Sequence, residues 1–90
     1  MSAGSYIKYR FTKYKGYTYD FCVDLTGGDV ALYGDYRGYP TTTSYQYKSD
    51  ASGSSRECVV PFKATSTGYY YVSVYAKKKS TDVYLDIDRY

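Results

Sequence analysis

Tyrosine, and the spacing of its residues, is the chemical feature that separates this sequence from that of an ordinary domain. The chain has 90 residues, of which 16 are tyrosine and none is histidine or tryptophan. Near the C-terminus, Tyr69, Tyr71 and Tyr75 share one phase of a period of two, and Val72 and Val74 share the other. A strand with this period exposes the phenol rings on one face. Tyrosine suits a contact surface because it combines a large rigid ring, of low entropic cost, with a hydroxyl group.

Conventional catalysis is not expected from these residue types. The absence of histidine removes the usual general base at neutral pH and every histidine-containing triad or metal site. Asp20 with Asp24, and Asp86 with Asp88, could form an acid–base pair, but solvated strand faces or salt bridges account for them better. Neither cysteine has a base near it in the sequence, as a nucleophile would need. The sequence therefore predicts a protein that is not an enzyme and has no catalytic residue.

Cys22 and Cys58 are the only cysteines, and two interpretations of them stay open. A disulfide would close a loop whose chain-entropy contribution is about 4 kcal/mol, which is large for a domain of this size. The alternative is two unpaired thiols in a reducing compartment, since two cysteines alone do not match a metal-binding spacing. Strand phase argues against the bond, because Val60 and Phe62 would place Cys58 on an inner face while Cys22 lies on an outer one.

Charge and hydropathy argue against two classes of partner, nucleic acid and the interior of a membrane. The net charge is +3, and the basic residues are scattered except for Lys77, Lys78 and Lys79, so the sequence does not favour nucleic acid. No apolar run approaches the length of about 20 residues that a membrane-spanning helix needs, so no membrane span is expected. The first residues lack the basic and apolar parts of a signal peptide. Residues 1–4 are expected to be flexible or left over from cloning, although a natural start is equally compatible.

Short strand-like segments, separated by turns rich in Gly, Ser, Asp and Lys, must position the tyrosines. The clearest segment runs from Tyr17 to Leu25, where large apolar residues alternate with polar ones. No helical period competes with these strands, and no linker divides the chain. The sequence predicts one all-β domain over residues 1–90, a small antiparallel β-sandwich or jelly roll of about seven to eight strands.

Four segments occur in an order and spacing typical of one known family. They are residues 28–33 (GDVALY), 39–41 (YPT), 44–45 (SY) and 68–75 (GYYYVSVY). In these segments the chain resembles the bacterial pre-peptidase C-terminal domain. This family of small β-sandwiches follows the catalytic domain of many secreted proteases and includes the collagen-binding modules of clostridial collagenases. The resemblance covers most of the chain from about Tyr17 onward, and it implies a secreted, extracellular module that targets an enzyme to a polymer.

The resemblance also implies ligand-binding residues. Collagen-binding members present apolar and tyrosine side chains from a strand that reads GxYYxxVYxY, which Val72, Val74 and Tyr75 match, whereas Lys77 replaces the last tyrosine. Tyr45 falls near another tyrosine that those modules use. Independently of the resemblance, Arg37 lies beside Tyr36 and Tyr39 in the sequence and could stack on a ring or bind an acidic group. The complete candidate ligand-binding set is Tyr69, Tyr71, Tyr75, Tyr45, Val72, Val74, Lys77 and Arg37.

No cofactor is expected, and calcium is doubtful. The family carries Asp-x-Asp-Leu-Tyr where this chain has Asp29-Val30-Ala31-Leu32-Tyr33, so the second carboxylate is missing. Residues 2–4 also lack the acidic character of the linker that supplies calcium ligands in the collagen-binding members. Calcium requires about six to eight oxygen ligands, and neither place provides them.

Competing functions follow from these observations. The first is a non-catalytic extracellular module that binds a polymer through a tyrosine-rich face, with protein such as collagen preferred to carbohydrate. The second is a self-assembling subunit of a filament, surface fibre or particle shell, which contacts copies of itself through tyrosine stripes and strand edges. A carbohydrate-binding module is the remaining alternative.

Overall fold

A computed structural model of the chain describes residues 1–50, 56–80 and 82–89. Within these ranges the protein has no helix, so the described residues contain no apolar helix that could cross a membrane. The predicted all-β class is confirmed. The strands are β1 (Tyr6–Lys13), β2 (Thr18–Asp24), β3 (Val30–Asp35), β4 (Tyr47–Ser49), β5 (Glu57–Lys63), β6 (Gly68–Ala76) and β7 (Tyr84–Arg89).

The strands form two antiparallel sheets that pack into a sandwich. Sheet A has the order β1-β6-β3-β4, and sheet B has the order β5-β2-β7. Most neighbours within a sheet are distant in sequence: β1 pairs with β6, and β2 lies between β5 and β7. The architecture therefore depends on long-range pairing, which encloses apolar side chains between two layers.

The core forms where the inward phase of each strand meets the opposite sheet. Phe21 and Val23 of β2 are fully buried against side chains from β3 and β6. Gly34 lies where the layers are tightest, because a Cβ atom there would stand 2.5 Å from the Phe21 ring and 2.9 Å from the Tyr70 ring. The Tyr70 hydroxyl donates to Gln46 Oε1 at 3.1 Å, and its burial raises the pKa of Tyr70 far above the ordinary value. The buried apolar cluster comprises Phe21, Val23, Leu25, Val30, Leu32, Tyr70, Val72 and Val74.

A change of register in β5 decides the state of the cysteines. Tyr19 pairs with Phe62 and Phe21 pairs with Val59, so two residues of β5 oppose the single residue Asp20 of β2. Such a bulge reverses the in-and-out phase of a strand on one side of it. The phase argument against a disulfide assumed unbroken alternation in β5, and it is wrong for this reason.

Cys22 and Cys58 lie directly opposite each other and are joined by a disulfide, with Cα atoms 4.1 Å apart. The bond links β2 to β5 on the outer face of sheet B and spans 36 residues of sequence. Disulfides in small domains are typical of proteins that fold in oxidising compartments, which is consistent with an extracellular location.

The first five residues are held against the rest of the fold. The Ala76 amide donates to Ser5 O at 3.0 Å, and the Gly4 amide donates to Ala76 O at 2.7 Å. At the other end of the segment, the Met1 ammonium donates to Ser80 O at 2.7 Å, and the Ser80 amide donates to Met1 O at 2.9 Å. The segment therefore lies beside residues 76–80, at and after the end of β6, instead of extending away as a tail.

Candidate binding face

The outer face of sheet A gathers side chains from β1 and β6. Because β1 pairs with β6 in antiparallel register, Tyr6 stands beside Tyr75 and Arg10 stands beside Tyr71. The Tyr6 and Tyr75 rings contact each other with centroids 4.9 Å apart. Three more residues of the same surface come from the β3–β4 connection and from β4. We call the whole surface the tyrosine face. Its members are Tyr6, Lys8, Arg10, Tyr39, Tyr45, Lys48, Tyr69, Tyr71 and Tyr75.

The β3–β4 loop, residues 36–46, folds back over the middle of this face. Tyr39 packs edge-on against Tyr71 with centroids 5.0 Å apart, and Tyr45 packs against Tyr33 at 5.2 Å. The Thr42 amide donates to the Tyr6 hydroxyl at 3.3 Å. As a consequence Tyr33, which points away from the core, is only 3% exposed. The tyrosines therefore form a raised surface of two layers, whereas the alternation in β6 alone predicts one row of rings on a strand face.

Cations lie over the outermost rings. The guanidinium carbon of Arg10 is 4.5 Å from the ring centroid of Tyr69. Lys8 Nζ is 5.8 Å from the centroid of Tyr39, and Lys48 Nζ is 5.8 Å from the centroid of Tyr45. These distances are within the range of cation–π attraction. Each of the three most accessible rings of the face is thus paired with a positive charge, which gives the surface both aromatic and cationic character.

Asp35 fixes the beginning of the loop through Arg37. The Arg37 amide and Nε donate to Asp35 Oδ1 at 2.8 and 3.0 Å, and Nη2 donates to Oδ2 at 2.7 Å. These hydrogen bonds lower the pKa of Asp35 against the opposing effect of its burial. Arg37, predicted as a ligand contact, thus holds the loop, while its side chain remains largely exposed.

Lys77 occupies a different network. Its ammonium forms ion pairs with Asp29 Oδ2 at 3.2 Å and with Asp50 Oδ1. The hydrogen bond to Asp50 raises the pKa of Lys77 and lowers that of Asp50. The ammonium predicted to contact a ligand instead ties the end of β6 to the residues that precede β3 and follow β4.

The remaining predicted ligand contacts fall into two groups, residues on the tyrosine face and residues in the core. Tyr69 and Tyr45 are 51% and 39% exposed on the tyrosine face, and Tyr71 and Tyr75 are half-buried there. Val72 and Val74 lie in the core with almost no exposed surface, so their prediction as ligand contacts is wrong. The same alternation that turns the tyrosines outward turns these valines inward.

Sequence analysis missed five members of the face, one of which, Lys48, lies on β4 opposite Tyr33. Tyr6, Lys8 and Arg10 alternate in β1, and this period of two was a usable signal for a shared outer face. Nothing in the local sequence indicates that β1 pairs with β6, so their place beside Tyr71 and Tyr75 could not be inferred. Tyr39 reaches the face only because the loop folds back.

The aspartates of sheet B lie on the opposite surface of the molecule. Asp20 is opposite Asp88 in the register of β2 and β7, and Arg56 forms ion pairs with Asp24 and, at 3.7 Å, with Asp86. These contacts agree with the interpretation of the carboxylates as strand-face residues and salt-bridge partners. In the described part of the chain, no group of three or more His, Cys, Asp or Glu residues is placed to hold a metal ion.

Comparison of the chain with protein-family models and with curated proteins finds no match. The resemblance to the pre-peptidase C-terminal domain family therefore stays a prediction that rests on the four sequence segments.

Proposed function

We propose that the chain is a non-catalytic extracellular module whose tyrosine face binds an extended polymer, with protein chains such as collagen as the preferred class. One observation supports this above the others. Tyr39, Tyr45 and Tyr69 each expose 39–51% of their surface, and each has a cation over its ring. Contact surfaces are enriched in tyrosine and arginine, which supply most of the binding energy at many interfaces.

The chemistry of the face suits a polypeptide ligand. The rings can pack against apolar side chains, and their hydroxyl groups can donate to peptide carbonyls. Lys8 and Arg10 can bind carbonyl oxygens or carboxylates, whereas Lys48 already forms an ion pair with Asp50 at 3.6 Å. A carbohydrate would use the rings as well, but it offers Lys8 and Arg10 no charged partner unless it is acidic.

The rings are already held in place before a ligand arrives. Tyr39 rests on Tyr71, and Tyr45 rests on Tyr33. Ordering free side chains costs about 0.5–1.5 kcal/mol each on binding, and contacts made in advance reduce this cost. A surface of this kind can bind a flexible or repetitive ligand that offers few specific groups.

The shape of the face favours an extended ligand over a compact one. β6 has nine residues and spans about 30 Å, with Tyr69 near one end and Tyr75 near the other. The molecule itself measures 36 Å along its longest axis. A linear polymer lying along β6 can contact rings at both ends together, so weak contacts would add up along one strand.

Retention on insoluble polymers tests the proposal. The chain is applied to fibrillar collagen, cellulose and chitin, together with the variants Tyr69→Ala and Tyr84→Ala. Tyr84 is 63% exposed on β7 of sheet B, which makes it a matched tyrosine outside the face. We expect retention on collagen that Tyr69→Ala weakens and Tyr84→Ala leaves unchanged. Retention on no polymer, or equal losses for both variants, would contradict the proposal, and retention on cellulose or chitin alone would favour the carbohydrate alternative.

Self-assembly is a second candidate, and it is favoured by the charges of the two outer faces. Sheet A presents Lys8, Arg10 and Lys48, whereas sheet B presents several aspartates. Opposite charges on opposite faces allow copies to stack head to tail, an arrangement that does not close on itself. Light scattering over a range of protein and salt concentrations tests it: growth at low salt supports assembly, and a strict monomer at every concentration contradicts it.

A further inference from the structure

A cleft of about 480 Å³ opens at one end of the sandwich, where β1, β3 and β5 end and where β4 and β6 begin. None of the tyrosine-face residues lines it. We call it the end cleft. Its volume lies within the range of small-molecule sites. Its principal lining residues are Tyr36, Tyr47, Phe62 and Tyr70, with Lys13 and Lys63.

Aromatic rings form one wall of the end cleft. Tyr47 and Phe62 are stacked with an interplanar angle of 23° and centroids 5.5 Å apart. Phe62 also packs against Tyr70 at 4.8 Å, and Tyr70 is anchored in the core and bonded to Gln46. These contacts hold the wall rigidly, and the wall offers aromatic surface to a flat or ring-shaped ligand.

Lys13 places a positive charge at the wall of the same cleft. Its side chain belongs to a residue that is only 7% exposed, and Nζ donates to Ser66 O at 2.6 Å and to Ser66 Oγ at 3.0 Å. Both acceptors are neutral. Across residues 1–50, 56–80 and 82–89, no carboxylate lies within ion-pair distance of Lys13 Nζ. An ammonium held only by neutral acceptors at the wall of a cleft can accept an anionic partner supplied from outside.

The remaining lining residues reinforce this charge. No aspartate or glutamate is among those described as lining the end cleft, and Lys63 adds a second cation. An ammonium group has three N–H donors, of which Ser66 accepts two. One donor of Lys13 is thus available to an incoming acceptor.

We propose that the end cleft binds a small carboxylate carried on a flat or ring-shaped body. The carboxylate accepts a hydrogen bond from Lys13, and the body lies against the Tyr47–Phe62 wall. Two sources supply this chemistry, a uronic acid sugar and an aromatic acid. The site is separate from the tyrosine face, so it can be occupied whether or not that face binds a polymer.

Titration of the full chain, followed by NMR, tests this proposal. Glucuronate is compared with glucose and benzoate with benzamide, so that each acid has a neutral counterpart of similar shape. We expect saturable shifts of the Lys13 and Thr65 signals with at least one acid, at a Kd of about 1 mM or tighter, and none with the neutral compounds. The acid that binds identifies the source. Equal binding of a neutral counterpart, or no saturation with either acid, would overturn the proposal.

Variants locate the binding in the cleft. Lys13→Met should weaken carboxylate binding at least about tenfold, whereas Lys15→Met, an exposed lysine outside the cleft, should not change it. Because Lys13 is buried, the exposed Lys63→Glu serves as a second variant that leaves the core intact, and it should also weaken binding. Unchanged affinity in both Lys13→Met and Lys63→Glu would refute the assignment.

Discussion

The guanidinium carbon of Arg10 lies 4.5 Å from the ring centroid of Tyr69, across the β1–β6 pair. The contact keeps an exposed ring and a charge together at one end of the tyrosine face. Tyr69 makes few other contacts that folding requires, since it points away from the core and is half exposed. We therefore expect Tyr69→Ala to lower the free energy of unfolding by less than about 1 kcal/mol, which is the loss of one exposed cation–π contact. Chemical denaturation measures this directly.

Tyr75→Ala should behave differently. The Tyr75 ring is half-buried and packs on Tyr6 at 4.9 Å, so its removal costs both buried area and an aromatic pair. We expect a loss of about 1–2 kcal/mol in the free energy of unfolding. The same denaturation experiment, with Tyr69→Ala as the comparison, gives the difference. Equal stabilities for the two variants would show that Tyr6 of β1 does not pack on Tyr75 as described.

The disulfide should account for a large part of the stability. Reduction, or the double change of Cys22 and Cys58 to serine, releases a link that spans 36 residues. The chain-entropy estimate is a loss of about 4 kcal/mol. Urea denaturation with and without reductant measures it. Identical midpoints would contradict the bond between β2 and β5.

Gly34 tests the tight packing between the sheets. A methyl group there would meet the rings of Phe21 and Tyr70, so we expect Gly34→Ala to destabilise by about 1–3 kcal/mol. Gly38→Ala is the control, because a Cβ atom at Gly38 has nothing within 4 Å. A smaller effect at Gly34 than at Gly38 would contradict the described core.

Asp35 should make stability depend on pH in the acid range. Its folded-state pKa is lowered by the hydrogen bonds from Arg37, so the folded protein binds fewer protons there than the unfolded chain. The resulting stabilisation is complete above the pKa of an aspartate in the unfolded chain, about 4. It is lost as the pH falls through the lower pKa of Asp35 in the folded protein. Thermal midpoints between about pH 2 and 5 should fall less steeply in Asp35→Asn. Parallel curves for the two proteins would argue against the Arg37 contact.

The sequence was most informative where alternation is unbroken. In β6 the outward tyrosines and the inward Val72 and Val74 follow from local spacing. The family resemblance predicts the two valines as ligand contacts, and that prediction conflicts with the spacing. In β5 the bulge reverses the phase, so Cys58 was placed on the wrong face. Bulges arise from backbone pairing that a single sequence does not display.

The composition of the tyrosine face depends on tertiary contacts more than the strands do, so less of it can be predicted from the sequence. The β3–β4 loop brings Tyr39 and Tyr45 over the sheet, and only the folded chain shows which rings they cover. The family pattern predicts Lys77 on the face because Lys77 stands at the place of its last tyrosine, but two aspartates from distant segments hold the ammonium. Loop packing and ion pairs of this kind are set by the assembled fold.

The most direct test of the tyrosine face is NMR mapping with a soluble triple-helical collagen peptide. We predict broadening or shifts of the Lys8, Tyr39 and Tyr69 signals, with the signals of Tyr84 and Asp86 on sheet B unchanged. Changes confined to sheet B, or a spectrum that the peptide does not alter at any concentration, would contradict the proposal that this face binds an extended protein chain.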